Sequence, residues 1–208
     1  MSGLHIGLDL DNTLIDYDSA FVEVGREIGL LPPDRMLRTK EEVKAFLRGG
    51  GSDEDWMRLQ GQVYGRYIDR ARLCDGAAEF LTSLCGRGAT ISIVSHKTKY
   101  GHFDLDRVDL WRAALGWLEN HEFFTPNGFA LARESVHFTE TREDKISKIR
   151  EIDCDVFVDD LPEVLRHEQF PADVRGIWFA ANKPAEDGAG LVPYRTWTEV
   201  ARVVAGLL

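Results

Sequence analysis

Short apolar runs rich in β-branched residues recur along this chain, and most are followed by a stretch with helical spacing. The runs are Leu4 to Leu10, Ala89 to Ser95, Ser135 to Phe138, Asp155 to Val158 and Gly176 to Phe179. A strand with one wet face alternates apolar with polar residues. These runs are close to continuously apolar, which predicts strands buried on both faces, as in a parallel sheet covered by helices. Between them, Asp75 to Cys85 carries Ala77, Ala78, Leu81 and Leu84 at helical spacing and stops at Gly86 and Gly88. Asp106 to Leu118, Arg142 to Ile152 and Thr198 to Leu208 complete the helical set. Strand–helix alternation of this kind predicts an α/β fold with a doubly wound, Rossmann-like parallel sheet.

The stretch from Ser19 to Leu73 breaks the alternation, with helical signals and no convincing strand. Ser19 to Ile28 is amphipathic and ends at Gly29, and Pro32 and Pro33 interrupt the chain. Thr39 and Glu42 have the spacing of a capping box that opens a helix, and Gly49, Gly50 and Gly51 close it. Ser52 or Asp53 then caps a helix expected to run to Asp69. The predicted organisation is a core domain from residues 1–18 and 74–208, with a small helical cap, 19–73, inserted after the first strand. Ala181 to Pro193, with Pro184, Gly188 and Gly190, is expected to be a surface loop.

At 208 residues the chain is long enough for one domain with an insertion. Its net charge of −10 disfavours a nucleic-acid polymer as partner, because that role usually needs a broad basic face. An anionic small molecule stays possible, since one cation and a few lysines can reverse the field inside a pocket. Cys74, Cys85 and Cys154 are scattered and odd in number, which suggests free structural thiols in a reducing compartment. The N-terminal residues lack the basic and apolar regions of a signal peptide, and no apolar run approaches the ~20 residues needed to span a bilayer. A cytoplasmic location with no membrane partner is expected. The oligomeric state is open.

Asp9 and Asp11 end the first strand, two residues apart, where both carboxylates would point to one face. Asp159 and Asp160 end another apolar strand. In doubly wound sheets the carboxyl ends of the strands are where ligands bind. If the two strands are neighbours, four carboxylates meet there, a concentration of like charge that calls for a cation, and hard oxygen ligands suit Mg²⁺. Ser95 ends a third strand, and Lys145 opens the helix near Arg142, with Lys148 as its competitor one turn on.

The order Asp-x-Asp-x-Thr, strand-terminal Ser, Lys, then strand-terminal Asp-Asp resembles the haloacid dehalogenase (HAD) superfamily across Leu4 to Asp160. The cap fits the same resemblance. It implies that Asp9 attacks phosphorus and forms an aspartyl phosphate, while Asp11 protonates the leaving oxygen and then activates water. It further implies Mg²⁺ held by Asp9, Asp160, the Asp11 main-chain carbonyl, and Asp159 directly or through water. Phosphoryl oxygens would be held by Ser95, Lys145 and main-chain N–H groups after Asp9, such as that of Leu10. His96 is a further phosphate-binding candidate, in a polar stretch with Lys97, Lys99 and His102. Asp11 separates the chain from the dehalogenating members, which lack that residue and need no metal. The activity implied is a Mg²⁺-dependent phosphatase acting on a small phosphorylated metabolite, a sugar phosphate or a nucleotide. The alternatives are a phosphotransferase or mutase built on the same residues, and a non-catalytic module that binds a phosphorylated ligand. In the cap, Trp56, Gln60, Tyr64 and Tyr67 recur at helical spacing as a core stripe, and Arg58, Gln60, Gln62, Tyr64 and Arg66 are candidates to face substrate.

Overall fold

A computed structural model describes residues 3–103, 105–181, 183–188 and 190–207. The strands are β1 (His5–Leu8), β2 (Ile15–Asp16), β3 (Arg72–Leu73), β4 (Thr90–His96), β5 (Val136–Thr139), β6 (Val156–Asp159), β7 (Arg175–Phe179) and β8 (Pro193–Tyr194). The helices are α1 (Asp18–Glu27), α2 (Lys40–Gly49), α3 (Asp53–Tyr64), α4 (Ala77–Cys85), α5 (Leu110–Asn120), α6 (Arg142–Ile152), α7 (Pro162–Leu165) and α8 (Trp197–Ala205). The chain divides into two compact units. One comprises Met1–Leu14, Leu73–His96 and Glu122–Leu208, and the other Ile15–Arg72 and Lys97–His121.

The first unit is built on a six-stranded sheet in the order β5-β4-β1-β6-β7-β8. All its pairings are parallel, with Leu8 opposite Ile93 on one side and Val158 on the other. β1 is therefore flanked by β4 and β6, and the chain reverses its direction of winding there, which is where open α/β sheets place ligands. Against one face lies a core of Val94, Ile146, Ile149, Phe157, Val164 and Trp178, contributed by the sheet, α6 and α7. Gly7 serves this packing, because a Cβ at that position would lie 2.5 Å from the Phe157 ring and 3.1 Å from the Cys154 sulfur. Elsewhere in this unit Trp197 is stacked between Phe80 and Phe179, with ring centroids 4.8 and 5.0 Å away. Such pairs add about 0.5–1.5 kcal/mol each beyond the burial itself. α8 is held at its start by a capping box between Thr196 and Glu199.

β8 lies where only a loop is expected. It has two residues and begins with proline, which has no N–H for a ladder and is tolerated at the start of an edge strand. Its membership shows in the backbone instead: the Ala180 N–H donates to the Tyr194 carbonyl at 2.7 Å. Asn182 and Ala189 of the expected loop, and Leu208 of the expected last helix, lie outside the described residues.

The second unit is mainly helical, although it also contains β2 and the first residue of β3, a short strand where the sequence pattern forecasts none. The predicted capping box at Thr39 and Glu42 is present on α2. Phe21, Trp56 and Tyr64 form an aromatic core, with Phe21 stacked on Trp56 at 5.1 Å. The helix expected to reach Asp69 stops at Tyr64. Gly65 takes φ −107° and ψ −99°, and a short 3₁₀ turn, Ile68–Arg70, follows. A Cβ at Gly65 would sit 2.9 Å from the Gly61 carbonyl and 3.0 Å from Leu110, so this break lets another element come close. That element is α5. Its Trp117 is fully buried and donates its indole N–H to the Ala71 carbonyl at 3.1 Å. Residues 97–121, expected with the core, thus belong to the same compact unit as the helical insertion. The reason is tertiary: the apolar stripe of α5 finds its partners in α3 and the 3₁₀ turn.

Candidate active site

Asp9 follows β1 directly and continues its ladder, donating its N–H to the Val158 carbonyl at 2.9 Å. The chain then turns sharply. Asn12 adopts φ 61°, a left-handed conformation that asparagine tolerates better than most residues. The Leu14 N–H returns to the Leu10 carbonyl at 2.9 Å. This turn buries Thr13 completely and lets its hydroxyl donate to Asp9 Oδ2 at 2.9 Å. The turn is anchored from the far end of the chain, since the Trp197 indole N–H donates to the Thr13 carbonyl at 3.2 Å. The aromatic stack that seats α8 therefore also positions the loop that holds Asp9.

Lys145 enters from the first turn of α6. Thr141 caps that helix, accepting from the Asp144 N–H, and Ile146 and Ile149 turn its apolar side to the core. The Lys145 ammonium lies 2.6 Å from Asp9 Oδ1 and 2.7 Å from Asp159 Oδ2, and the residue is only 1% exposed. Lys148, the competitor, is paired with Glu151 near the surface. Asp159 Oδ1 accepts from the Leu161 N–H at 2.9 Å. Asp160 meets Lys183, whose ammonium lies 2.8 Å from its Oδ2 and 2.5 Å from its main-chain oxygen. Lys183 sits in the stretch read as a plain surface loop. No local sequence pattern marks it.

Asp9, Asp159 and Asp160 are all buried, and each offers a carboxylate oxygen within 4.8 Å of the others. Burial pushes the Asp9 carboxyl up to about 8; Lys145 pulls against this, and the neighbouring Asp159 and Asp160 add to the rise. For Lys145, burial acts to lower the ammonium, and the carboxylates of Asp159 and Asp9 overcome it and push it above its ordinary range. Two ammonium groups, the buried Lys145 and the partly exposed Lys183, thus face three buried carboxyl groups, and the oxygen-only donor set fits a hard divalent cation such as Mg²⁺.

Ser95 ends up wholly buried near the carboxyl end of β4, beside β1, with no protein partner for its hydroxyl among the described residues. A buried orphan hydroxyl is uncommon and fits a group made to receive a ligand oxygen. Leu10 is wholly buried, and Asp11 is half-buried within the turn that the Leu14 to Leu10 bond closes. The side chains gathered around Asp9 include Thr13, Lys145, Asp159 and Asp160. His96 follows Ser95 at the end of β4, where its side chain is exposed and its Nε2 lies 3.0 Å from the Glu140 carbonyl.

In the helical unit, the expected core stripe is realised by Trp56 and Tyr64, both buried. Arg58 pairs with Asp55 and Arg66 with Asp106 at the surface. Lys97, from the polar stretch after Ser95, is buried with its ammonium 4.1 Å from the centre of the Tyr64 ring and 5.9 Å from that of Tyr17. Among the described residues, no helix is long and apolar enough to cross a membrane.

No family model matches the chain, and no curated relative matches it. Solved structures do. A HAD-superfamily hydrolase from Ehrlichia chaffeensis superposes with a TM-score of 0.58 at 17% identity, covering 100% of this chain and 98% of that one. A haloacid dehalogenase-like family hydrolase from Streptococcus pneumoniae gives 0.60 at 16% identity, covering 97% and 98%. The provisionally assigned HAD-hydrolase YfnB from Bacillus subtilis, solved bound to magnesium, gives 0.56 at 14% identity, covering 98% and 99%. The fold of this chain is that of the haloacid dehalogenase-like hydrolases, the α/β architecture its strand pattern predicts.

Proposed function

We propose that this protein is a Mg²⁺-dependent phosphatase of the HAD superfamily that hydrolyses a small phosphorylated metabolite, a sugar phosphate or a nucleotide, in the cytoplasm. The observation that carries this reading is the wholly buried Lys145 ammonium set between Asp9 and Asp159, joining residues 136 positions apart at the carboxyl edge of the sheet. A buried carboxylate held this way, beside further carboxylates and an orphan hydroxyl, fits a nucleophile for an electrophile that brings its own negative charge.

An Asp9 oxygen attacks phosphorus, the bond from phosphorus to the ester oxygen breaks, and an aspartyl phosphate forms. Thr13 holds the second Asp9 oxygen, so the attacking oxygen keeps its aim. Asp11 gives its proton to the departing alkoxide. It then takes a proton from the water that attacks phosphorus, which restores Asp9 and releases inorganic phosphate. Lys145 and the Ser95 hydroxyl contact the phosphoryl oxygens, with the main-chain N–H of Leu10. Asp9 and Asp160, with Asp159 and the Asp11 main-chain carbonyl, would hold Mg²⁺, which supplies the charge that lets a carboxylate approach a phosphate. Asp11 is the residue that favours phosphoryl transfer over dehalogenation.

The test is phosphate release from a panel of sugar phosphates, nucleotides and phosphorylated acids with Mg²⁺, run beside Asp9→Asn. Turnover of at least one ester by the wild type, with loss of activity in a folded Asp9→Asn, is the expected result. Undiminished turnover by Asp9→Asn, or no hydrolysis of any ester, would sink the reading.

A further inference from the structure

We propose that Lys183 is a tethered cation that competes with the divalent ion for Asp160. This deepens the metal-site reading above and rests on it. The starting point is how charge is shared among the three carboxylates. Lys145 is occupied with Asp9 and Asp159, at 2.6 and 2.7 Å. Asp160 is left to Lys183, whose ammonium faces both its Oδ2 and its main-chain oxygen at 2.8 and 2.5 Å.

The loop that brings Lys183 there is tied down. Arg195 donates through one guanidinium nitrogen to the Ala181 carbonyl at 3.2 Å and to the Lys183 carbonyl at 2.9 Å. Arg195 is itself fixed to the start of α8, where its main-chain N–H donates to Glu199 at 2.6 Å. On the other partner, the Trp178 indole N–H donates to the Asp160 carbonyl at 3.2 Å. Both ends of the ion pair are therefore positioned by the fold.

The two lysines differ in what they can do. The Lys145 side chain is 1% exposed and locked between two carboxylates, whereas that of Lys183 is 27% exposed. A lysine ammonium is a compact, strongly hydrated charge on a flexible stem, so Lys183 can move into water at little cost. An ammonium at 2.8 Å from Asp160 Oδ2 disfavours a divalent ion on that same oxygen, since the two cations repel at short range, and of the two lysines Lys183 is the one free to yield. Binding the ion displaces the ammonium. Without the ion, Lys183 neutralises Asp160. The consequence is a weaker and more readily reversible divalent site than the carboxylates alone would make.

The test is calorimetric titration of Mg²⁺ into metal-stripped protein without substrate, for the wild type, Lys183→Met and Lys183→Arg. Lys183→Met is expected to bind Mg²⁺ about fivefold more tightly, the scale of a partly exposed ion pair, and Lys183→Arg to stay near the wild type. A second measurement follows displacement directly: acylation of Lys183 in the wild type, read by mass spectrometry, rises several-fold on saturation with Mg²⁺ while acylation of Lys148 does not. If the wild type binds Mg²⁺ and Lys183→Met binds it equally or more weakly, or Lys183 is no more reactive with the ion bound, the competition is refuted and the metal site stands. If neither protein binds Mg²⁺, the metal site itself is refuted and the competition with it.

Discussion

Replacing Lys145 with methionine isolates the electrostatic cost of the site. The change keeps the length of the side chain and removes the charge that lies 2.6 Å from Asp9 and 2.7 Å from Asp159. Breaking a buried ion pair by deleting one partner costs about 3–5 kcal/mol, because the charge left behind has lost both water and its neutraliser. Here two carboxylates are left. In a chain of this size that corresponds to a fall of roughly 10 °C in Tm. Asp9 relieves part of the strain: its carboxyl is already pushed up to about 8 by burial, so at lower pH it takes a proton. The loss in Lys145→Met should therefore be smallest in mild acid and grow as the pH rises toward and past 8. The assay is urea unfolding of EDTA-treated protein, followed by circular dichroism at several pH values. Adding Asp9→Asn should restore part of the loss, with a coupling of about 0.5–3 kcal/mol. A loss below about 1 kcal/mol at every pH, or an Asp9→Asn change that costs as much in the Lys145→Met background as in the wild type, would refute the charge balance argued from these distances.

Thr13→Val removes the hydroxyl that donates to Asp9 Oδ2 at 2.9 Å and keeps the volume. Steady-state kinetics should show kcat down by about ten- to a hundredfold with KM little changed, the scale of one hydrogen bond to a charged group; a change confined to KM would contradict the aiming role. For the metal-free wild type, the folded Asp9 carboxyl sits near 8 against an ordinary 3.8, so between these values the folded state holds more protons than the unfolded state. Stability should accordingly decline as pH rises through that window, and Asp9→Asn should flatten the decline in unfolding curves. Asp160→Asn should weaken Mg²⁺ binding by at least about tenfold in calorimetry and cancel any rise in Tm that Mg²⁺ gives the wild type; an unchanged affinity would remove Asp160 from the metal site.

The legible part of this protein is the part written in local patterns. The nearly continuous apolar runs forecast the parallel strands because a strand buried on both faces needs no alternation. Thr39 with Glu42 followed from capping chemistry that acts within one helical turn, and α6 has the bounds of the helical stretch expected there. The carboxylates could be picked out because each acidic pair closes an apolar run, where a charge has no use in packing. β8 leaves no local signal because two residues beginning with proline carry no period, and the end of α3 is set by Gly65 answering to Leu110, far along the chain.

By itself the amino-acid order determined an α/β fold and the residue types from which a phosphate and metal site can be made, since strand burial and helix caps are properties of neighbours in the chain. Tertiary structure decided which lysine is charge partner to Asp9, that Trp197 braces the turn at Thr13, that His96 meets the Glu140 carbonyl, and that Lys183 reaches Asp160. These are meetings between segments far apart in the chain. Their energies depend on burial and on distances of a few ångströms, which no local pattern encodes.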